Sequence, residues 1–560
     1  MKIMNYRAEY NRWLEKADDE LKIELKSMDE KAVEDAFYRD LVFGTGGLRG
    51  TIGAGTNRMN VHVVGKASQG LSNYLLSSNS EGEQTSVVIG YDSRIKSDVF
   101  AKTAASVFAA NGIHVHLWPE LNPVPAVSFT VRELNASAGV MITASHNPSK
   151  YNGYKVYGPD GYQITTEVAK AILAKIDALD IFSDVKNVDF DDAVKNGLIE
   201  YIDSSVLDKF IEAVKSQSVL YGDEIDREVA IIYSPLNGTG LKPVTMVLEK
   251  SGFTNITVVE EQRIPDGNFP TCPYPNPEIR EAMELGLQYC ERTGADLLLA
   301  MDPDADRCGI AVRSSTGEYV LLSGNEVGLL LLDYICSQRI KHNQMPEHPV
   351  FIKTIVTMDL AEKIADHYGV QTINVLTGFK FIGEQIGRLE AEGREQDYIC
   401  GFEESYGYLT GTYVRDKDAV NAAFMICEMF AFYKTRGVSL LEKLEEIYST
   451  YGYCLNTLHS YEFEGSAGMQ KMAEIMKDFH KGVAEIGGEA VLRTEDYSNG
   501  LNGLPKSDVL KYYTESGSIV VRPSGTEPKL KTYISITADN KEKAEEIEKH
   551  VDAALAARMK

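Results

Sequence analysis

The chain has 560 residues, which at about 150 residues per domain predicts three or four domains. Its formal net charge of −25 argues against a general nucleic-acid or membrane-surface binder, so a positive site for an anionic ligand must be local. No apolar run reaches the roughly 18 residues that cross a bilayer, and the charged start does not resemble a signal peptide. The seven cysteines are scattered without a Cys-x-x-Cys pair, which favours a reducing, cytoplasmic location.

Residues 4–40 form a charged stretch with a helical apolar pattern, which predicts an amphipathic arm packed on the first domain. A glycine-rich segment, 43–50, follows it. Arg49 stands where a dinucleotide-binding Gly-x-Gly-x-x-Gly loop needs its last glycine, so that motif is excluded. A guanidinium within flexible backbone suits bidentate contact with a phosphate, which makes Arg49 a candidate ligand. The apolar residues of the arm are Trp13, Leu14, Ala17 and Leu21.

The chain shows one α/β pattern three times: a strand and loop, a helical stretch, and a second strand that ends in a distinctive loop. This predicts three related α/β units in series, although repetition by chance is the alternative because no sequence identity accompanies it. The last part has helical patterns at about 466–486 and 540–558 around a strand at 518–522, which predicts a smaller α+β domain. The predicted domains are 1–222, 223–325, 326–449 and 450–560.

The first distinctive loop follows an apolar strand, 138–142, and consists of the polar turn Thr-Ala-Ser-His-Asn-Pro at 143–148. In α/β folds, side chains at strand ends carry the chemistry. Ser145 and His146 are therefore candidates for an active site. A serine hydroxyl is a poor nucleophile until a base, a metal or positive charge assists it, and His146 and Lys155 are candidates for that role.

The second loop follows the apolar strand 297–300 and contains Asp302, Asp304 and Asp306. In an extended segment, residues two apart face the same side, so the three carboxylates are expected to converge. Converging carboxylates repel one another unless a hard cation neutralises them, and so few protein ligands favour Mg²⁺. A strand followed by Asp-x-Asp is also similar to the nucleophile loop of haloacid-dehalogenase-type phosphatases, in which Asp302 would be the nucleophile.

Two further loops carry groups that bind hydroxyls and anions. A glycine-flanked loop at 401–407 offers acceptors suited to adjacent sugar hydroxyls. Lys417 is the candidate cation beside it, with Arg415 as the alternative. A guanidinium, two hydroxyls and flexible backbone predict an anion-binding loop near the end of the chain. The residues concerned are Glu403, Glu404 and Ser405 in the loop at 401–407, which is the third loop. In the anion-binding loop they are Arg522, Ser524, Gly525 and Thr526.

In this order, the four loops resemble those of the α-D-phosphohexomutase superfamily, in its phosphoglucomutase branch, over nearly the whole chain. The turn 143–148 is similar to the family's phosphoserine loop, and 302–307 to its metal loop. The segment 403–405 is similar to the sugar loop, and 522–526 to the phosphate-binding loop. The resemblance implies three α/β domains and a C-terminal α+β domain around a central cleft, with Ser145 phosphorylated in the resting enzyme.

The resemblance also implies site residues and an activity. Mg²⁺ is implied to be held by Asp302, Asp304, Asp306 and the phosphate on Ser145. The groups implied around the transferring phosphoryl are Arg49, His146, Lys155, Arg307 and Lys417. The implied sugar and phosphate ligands are Arg307, Thr377, Gly378, Glu403, Ser405, Arg522, Ser524, Gly525 and Thr526. The implied reaction interconverts glucose 1-phosphate and glucose 6-phosphate through a phosphoserine enzyme and glucose 1,6-bisphosphate, with Lys155 or Lys417 as general base if neighbouring cations lower its pKa.

One departure from the family pattern bears on the sugar. Many bacterial members that accept both mannose and glucose phosphates carry Gly-Glu-Met-Ser-Gly-His, whereas residues 402–407 contain no histidine. This favours glucose over mannose. The chain also resembles a longer branch that includes phosphopentomutases, so ribose phosphate is an alternative substrate. An Asp302 phosphatase and a non-catalytic sugar-phosphate sensor are the alternatives from other functional classes.

Overall fold

The computed structural model describes residues 5–44, 46–78, 84–463, 465–524 and 529–559. Within these residues, each of the four predicted ranges contributes one larger sheet, and the joints between the ranges remain predictions. The predicted architecture of three α/β units and a C-terminal α+β unit is confirmed. Over the same residues, every helix is too short or too polar to span a bilayer.

The N-terminal arm consists of three helices because two aspartates each begin a new one. The carboxylate of Asp18 accepts from the amide of Leu21, and that of Asp29 accepts from the amide of Ala32. Of the predicted apolar residues, Trp13, Ala17 and Leu21 are buried in the core of the first unit, and Leu14 packs against it. The helices are α1 (Tyr6–Lys16), α2 (Asp19–Ser27) and α3 (Glu30–Phe37).

The first unit contains a six-stranded sheet. Its strands are β1 (Gly47–Thr51), β2 (Ser86–Tyr91), β3 (His114–Leu117), β4 (Ala138–Ile142), β5 (Tyr151–Tyr157) and β6 (Ile199–Tyr201). Its helices are α4 (Val61–Ser78), α5 (Ser97–Ala110), α6 (Val124–Glu133), α7 (Thr166–Asp177), α8 (Phe190–Lys195) and α9 (Ser204–Lys215). The order is β1-β5-β4-β2-β3-β6, with β4, β2, β3 and β6 parallel. The glycine-rich segment is thus not wholly a loop, because its second half is β1, where Arg49 pairs with Gly153 of β5.

The second and third units are built on the same plan. The second has β7 (Ile231–Ser234), α10 (Leu241–Lys250), β8 (Ile256–Val258), α11 (Glu260–Arg263), α12 (Arg280–Thr293), β9 (Leu297–Met301), β10 (Cys308–Arg313) and β11 (Tyr319–Leu322), in the order β11-β10-β9-β7-β8. The third has α13 (Gly324–Lys341), β12 (Val350–Thr354), α14 (Leu360–His367), β13 (Gln371–Val375), α15 (Phe379–Ala391), a 3₁₀ turn (Glu395–Asp397), β14 (Tyr398–Glu403), β15 (Gly407–Leu409), α16 (Ala419–Thr435) and α17 (Leu440–Tyr451), in the order β13-β12-β14-β15.

The strands that precede the three distinctive loops occupy equivalent positions. Each of β4, β9 and β14 has a parallel neighbour on one side, which is β2, β7 and β12 respectively. On the other side, each pairs with the antiparallel strand that follows its own loop, which is β5, β10 and β15. The loops therefore lie at the carboxyl ends of parallel strands, where α/β sheets place their ligands.

The fourth unit is an antiparallel sheet with helices. Its elements are β16 (Tyr453–Glu462), α18 (Gly465–His480), β17 (Glu485–Ile486), β18 (Glu489–Ala490), β19 (Arg493–Asp496), β20 (Leu510–Tyr513), β21 (Gly517–Pro523), β22 (Lys529–Ala538) and α19 (Lys541–Arg558), and the main sheet has the order β16-β22-β21-β20-β19. The helix predicted over 466–486 is wrong at its end. Gly482 at φ +99° follows the helix, and residues 485–486 form β17.

Candidate active site

Ser145 lies in a buried turn shortly after β4. Its φ is +54°, a left-handed value that favours glycine, and its amide donates to the Thr143 hydroxyl at 2.8 Å. Its Oγ donates to Asp302 Oδ2 at 2.8 Å and lies 3.2 Å from His146 Nδ1. The structure thus brings the candidate serine of the first unit into direct contact with the aspartate loop of the second unit.

Arg94 holds the backbone of this turn. It follows β2, the strand beside β4, and its side chain is fully buried next to Asp92, whose Oδ2 lies 3.3 Å from Arg94 Nε. Its guanidinium donates to four carbonyl oxygens, those of Ser145, Asn147, Pro148 and Tyr151. A guanidinium has five donors in a fixed plane and can hold several carbonyls at once, which an ammonium group does less well. Arg94 therefore sets the position of Ser145.

The three aspartates converge because the chain turns. Residues 302–306 form a tight turn between β9 and β10, in which Ala305 has φ +49°. Asp302, Asp304 and Asp306 are fully buried, and one oxygen from each lies within 4.8 Å of the other two. The predicted convergence is therefore confirmed. The extended geometry on which that prediction was based is wrong.

This aspartate turn (residues 302–306) has the donor set of a hard divalent cation. Asp304 Oδ1 and Asp306 Oδ1 are buried and have no hydrogen-bond partner among the described residues. Asp302 Oδ1, by contrast, accepts from the amides of Asp306 and Arg307 at 3.1 and 3.0 Å. Burial and the two neighbouring carboxylates raise the pKa of Asp302 well above its usual value. Carboxylates that repel one another and buried oxygens without donors fit Mg²⁺.

Backbone amides from all three α/β units hold the aspartate turn. Val124 donates to the carbonyl of Asp304 at 2.9 Å, Thr239 to that of Pro303 at 2.8 Å, and Ala419 to that of Ala305 at 3.2 Å. Val124 and Ala419 are the first residues of α6 and α16, so their amides have no acceptor within their own helices. The aspartate turn is therefore a point at which all three units meet.

Lys155 on β5 and Lys417 before α16 both contact the aspartate turn. Their Nζ atoms lie 3.2 and 2.9 Å from Asp306 Oδ2, and Lys155 Nζ also lies 2.8 Å from Asp304 Oδ2. Burial disfavours charge on both lysines, yet these carboxylates raise the pKa of each above its ordinary value. Both lysines are therefore ammonium ions. Neighbouring cations act to lower these pKa values, Lys417 that of Lys155 and Arg307 that of Lys417, but the carboxylates outweigh them. The role of either lysine as a general base stays a prediction.

The other predicted cationic residues lie around the same turn. Arg49 donates to Asn147 Oδ1 at 3.1 Å, and Arg307 pairs with Glu278. Burial, followed by the charges of Arg307 and Arg49, lowers the pKa of His146 well below its ordinary value. The imidazole is therefore neutral at neutral pH. The structure brings together the five residues that were expected to surround a phosphoryl group.

Glu403 and Glu404 have different surroundings although they are adjacent. Glu403 ends β14 and is buried, and this burial raises its pKa to about 7 although the charge of Lys417 acts in the opposite direction. Glu404 Oε2 accepts from the hydroxyls of Thr354 and Thr357 at 3.2 and 3.4 Å. Glu403 is thus the carboxylate that interacts with Lys417. Glu404 is instead held by hydrogen bonds from β12 and the loop after it.

Gly407 permits the close approach of Lys417 to the third loop. Ser405 is half-buried in this tight turn between β14 and β15, and Tyr406 has φ +64°. A Cβ on Gly407 would lie 2.6 Å from Lys417 Cδ and 3.0 Å from Glu403 Oε1. A side chain at this position would displace both, so the local geometry depends on glycine.

Arg415, the alternative to Lys417, is bound elsewhere. Its Nη2 donates to Glu390 Oε2 at 2.8 Å, and its amide donates to Ser128 Oγ at 3.0 Å. Glu390 also pairs with Arg132 at 2.8 Å. Arg415 therefore joins the third unit to the first, and Lys417 is the residue that contacts the aspartates.

Thr377 and Gly378 immediately precede α15, and no hydrogen bond joins either one to the Ser145 turn within the described residues. Thr377 Oγ1 is buried and has no hydrogen-bond partner in the same part of the chain. Gly378 has φ +116°, a value at which a side chain would be strained. Their predicted role as sugar ligands stays a prediction.

The anion-binding loop of the fourth unit is described in part. Arg522 lies in β21, and its charge opposes the rise that burial causes in the pKa of Glu404. The amide of Ser524 donates to the carbonyl of Lys529 at 2.7 Å. Arg522 is therefore near the third-unit loop, as a shared cleft requires. Gly525 and Thr526 lie outside the described residues.

Sequence analysis missed several residues that support the site. Asp416 Oδ2 accepts from Tyr157 Oη and Gln163 Nε2, both at 3.0 Å, which ties the segment before Lys417 to the first unit. Asp92 and Arg94 could have been found, because they follow the buried strand β2 just as Ser145 follows β4. Glu278, the partner of Arg307, precedes α12 and carries no comparable signal.

Four family models match the chain in order. They describe phosphoglucomutase/phosphomannomutase α/β/α domains I, II and III and the C-terminal domain, and they match residues 40–181, 208–317, 323–451 and 463–554. These matches, together with the fold and the site, define an isomerase that moves a phosphoryl group within a phosphosugar. The chain belongs to the phosphoglucomutase/phosphomannomutase family.

Relatives of known function match over nearly the full length. The chain is 37% identical over 541 residues to a phosphoglucomutase of Staphylococcus saprophyticus, and the match covers 94% of this chain and 96% of the relative. It is 36% identical over 543 residues to a phosphoglucomutase of Staphylococcus aureus, with coverage of 94% and 95%. The resemblance to the phosphoglucomutase branch is therefore confirmed over 94% of the chain.

Solved structures show the same fold. The open form of Paramecium parafusin, a phosphoglucomutase, has a TM-score of 0.69 at 18% identity and covers 93% of this chain and 96% of its own. A phosphoglucomutase/phosphomannomutase family protein from Burkholderia thailandensis has a TM-score of 0.68 at 16% identity, with coverage of 92% and 97%. At these identities the likeness concerns the four-domain architecture.

Proposed function

We propose that this chain interconverts α-D-glucose 1-phosphate and glucose 6-phosphate, with Ser145 as the residue that gives and takes the phosphoryl group. The observation that carries this proposal is the 2.8 Å contact between Ser145 Oγ and Asp302 Oδ2, at a turn where carboxylates and cations converge. Glucose is favoured because two staphylococcal phosphoglucomutases match nearly the whole chain, and because residues 402–407 contain no histidine.

The reaction consists of two phosphoryl transfers. In the first, the bond between phosphorus and Ser145 Oγ breaks, the free hydroxyl oxygen of the sugar phosphate bonds to phosphorus, and the hydroxyl proton passes to Ser145 Oγ, which gives glucose 1,6-bisphosphate. In the second, the other phosphoryl group moves from the sugar to Ser145 Oγ, and a proton returns to the sugar oxygen. Added glucose 1,6-bisphosphate acts as an activator because it phosphorylates Ser145 in molecules that have lost the group.

The residues around Ser145 have two further roles, which are proton transfer and stabilisation of the charge on the phosphoryl group. The loose transition state of phosphoryl transfer needs little base strength. His146 would hold the transferred proton, which its neutral ring and the 3.2 Å distance from its Nδ1 to Ser145 Oγ support. Lys155 and Lys417, whose pKa values are raised, would contribute charge instead. Positive charge from Arg49, Lys155, Arg307 and Lys417 stabilises the equatorial oxygens of the phosphoryl group.

The aspartate turn fits a resident Mg²⁺ ion. Asp302, Asp304, Asp306 and an oxygen of phosphorylated Ser145 would hold it. When bound, the ion neutralises charge and polarises the phosphoryl group as a Lewis acid. Asp304 Oδ1 and Asp306 Oδ1, both buried without a donor among the described residues, support this assignment.

The substrate ligands come from the third and fourth units, together with Arg307 of the second. Glu403 and Ser405 accept from adjacent sugar hydroxyls, and Thr377 and Gly378 face the sugar from the beginning of α15. The non-reacting phosphate is held by Arg522, Ser524, Gly525 and Thr526. A small phosphosugar is therefore the partner of this cleft. An Asp302 nucleophile is disfavoured, because its Oδ1 accepts from two amides and its Oδ2 accepts from Ser145.

A coupled assay tests the proposal. Purified protein is given glucose 1-phosphate, Mg²⁺ and a trace of glucose 1,6-bisphosphate, and glucose 6-phosphate formation is compared with turnover of ribose 1-phosphate and mannose 1-phosphate. Glucose is expected to be the fastest substrate, and Ser145→Ala is expected to abolish transfer while Ser205→Ala, an exposed serine, does not. Full activity of Ser145→Ala, or phosphate release without isomerisation, would overturn the mechanism, and faster ribose turnover would change the substrate.

A further inference from the structure

A second cluster of metal-binding side chains lies at the edge of the first sheet. His114 and His116 are on β3 and, being two residues apart in a strand, face the same side. Glu200 is on the neighbouring strand β6, in register with His116. One ligand atom from each of the three residues lies within 4.8 Å of the other two.

The local packing directs these side chains toward one another. His114 Nε2 lies 3.3 Å from Glu200 Oε2, and the rings of His114 and His116 are 4.6 Å apart between centroids at an angle of 75°. Val115 and Leu117, which alternate with the histidines, are buried in the core on the other side of the sheet. Core packing of these two residues therefore fixes which way the histidines face.

This His–His–Glu cluster (His114, His116 and Glu200) is separate from the aspartate turn. In the sheet order, β2 lies between β3 and β4, and His114 is in register with Ser86 at the beginning of β2. Ser145 follows the opposite, carboxyl end of β4. Across the sheet, the two sites are separated by two strand spacings of about 4.8 Å each. Along the strands, they are separated by at least four residues at about 3.3 Å each, so the distance between them is on the order of 15 Å. A metal in the cluster would not touch the reacting groups.

We propose that His114, His116 and Glu200 form a binding site for Zn²⁺. Two imidazole nitrogens and one carboxylate oxygen are a common Zn²⁺ donor set, with a water in the fourth position. Mg²⁺ prefers oxygen ligands and octahedral geometry, so the cluster disfavours the ion that suits the aspartate turn. The two sites therefore select different ions by donor type.

The position of the cluster indicates what bound Zn²⁺ does. β6 is an edge strand of three residues, and it pairs with β3 alone among the described strands. An ion held by both strands ties β6 to the sheet. The three ligands are brought together only in the folded chain. Because Zn²⁺ therefore binds the folded state and not the unfolded state, it raises the melting temperature. It does so without changing the mutase reaction.

Isothermal titration calorimetry tests this site in the full-length protein. The protein is first stripped with a chelator and then kept in excess Mg²⁺, so that the aspartate turn does not take up the added Zn²⁺. One saturable equivalent of Zn²⁺ is expected, together with a rise in melting temperature. Co²⁺ in place of Zn²⁺ is expected to give the visible absorption of a low-coordinate site with imidazole ligands.

Matched variants identify the ligands. Binding is expected to be lost in His116→Ala, weakened in Glu200→Gln and unchanged in His348→Ala, which removes an exposed histidine elsewhere. Glu200→Gln alters a carboxylate whose side chain is 60% exposed, so it tests the site even if His116→Ala does not fold. Absence of saturable Zn²⁺ binding in the wild type, or the same binding in Glu200→Gln and His116→Ala as in the wild type, would overturn the proposal.

Discussion

The guanidinium of Arg94 donates to the carbonyl oxygen of Ser145, 51 residues further along the chain. The residue proposed to carry the phosphoryl group is therefore positioned by a side chain from the end of the neighbouring strand β2. Ser145 also has φ +54°, so its backbone conformation depends on such contacts. Arg94 touches the turn through carbonyl oxygens and is a positioning residue in this arrangement.

Arg94→Lys is expected to lower kcat about 100-fold, because one ammonium group cannot hold the four carbonyls and a displacement of about 1 Å has an effect of that size. KM is expected to change little, since the proposed sugar ligands lie on other units. The lysine keeps a positive charge beside Asp92, which preserves the fold. Steady-state kinetics and thermal melts measure the two effects. Arg292→Lys, an exposed change on α12, is the control, and an unchanged kcat in Arg94→Lys would contradict the positioning role.

Gly407→Ala is expected to lower kcat/KM by about tenfold or more, because the added Cβ would displace Lys417 and Glu403 together. Gly387→Ala on α15 is the matched control. Its Cβ would meet Tyr162 Cε1 at an ordinary 3.5 Å, and alanine in a helix is more stable than glycine by about 1 kcal/mol. Steady-state kinetics measure kcat/KM for both variants. Equal activity in the two would show that the approach of Lys417 to the third loop is not needed.

Asp302→Asn is expected to separate cation binding from folding. The pKa of Asp302 is raised in the folded state, so its ionisation at neutral pH costs folding free energy, which asparagine removes. In chelator, the variant is therefore expected to melt no lower than the wild type. The rise in melting temperature on adding Mg²⁺, and the activity, are expected to be lost. Scanning fluorimetry with and without Mg²⁺ measures this, with Asp177→Asn on α7 as control. A wild-type Mg²⁺ shift in Asp302→Asn would exclude this residue as a ligand.

His480 is expected to make the stability of the fourth unit depend on pH. Its Nδ1 lies 2.9 Å from Asp496 Oδ2 and its Nε2 lies 2.8 Å from Asp508 Oδ1. Burial acts to lower the pKa of His480, but the two carboxylates raise it above the ordinary 6.5. The stabilisation is thus fully present below the unfolded-state pKa and is lost as the pH rises through the folded-state value.

The difference in melting temperature between the wild type and His480→Gln is therefore expected to shrink from about pH 6 to about pH 9. Partial exposure limits the effect to about 1 kcal/mol or less. Thermal melts across this range provide the measurement, and His348→Gln is the control. A difference that stays constant with pH would show that His480 is not held as a cation between Asp496 and Asp508.

The strand-end loops could be predicted because each follows a run of apolar residues that only a buried strand explains. Ser145 after β4 and Asp302 after β9 are both of this kind. The left-handed turn at Ala305 could not be predicted, because alanine carries no signal for positive φ. The raised pKa of Lys155 could not be predicted either, because it depends on Asp304 in another unit, 149 residues away.

The choice between Arg415 and Lys417 shows the same limit. Both residues are cationic and lie two positions apart, so composition does not distinguish them. The packing determines which of them contacts the aspartate turn, because Arg415 forms a salt bridge with Glu390 whereas Lys417 forms one with Asp306. Contacts between units determine the roles of individual charges, whereas local patterns determine where the loops are.

The aspartate turn is held by amides of Val124, Thr239 and Ala419, which come from three different α/β units. A fragment that ends before Ala419 leaves a carbonyl of the second unit without its donor, even if the sheet of that unit folds by itself. Exchanging one unit with that of a distant relative likewise requires the donor positions to be matched. Recombination within this chain is therefore constrained at its reaction centre, and a partly synthesised molecule that ends before Ala419 lacks one of the three donors that hold it.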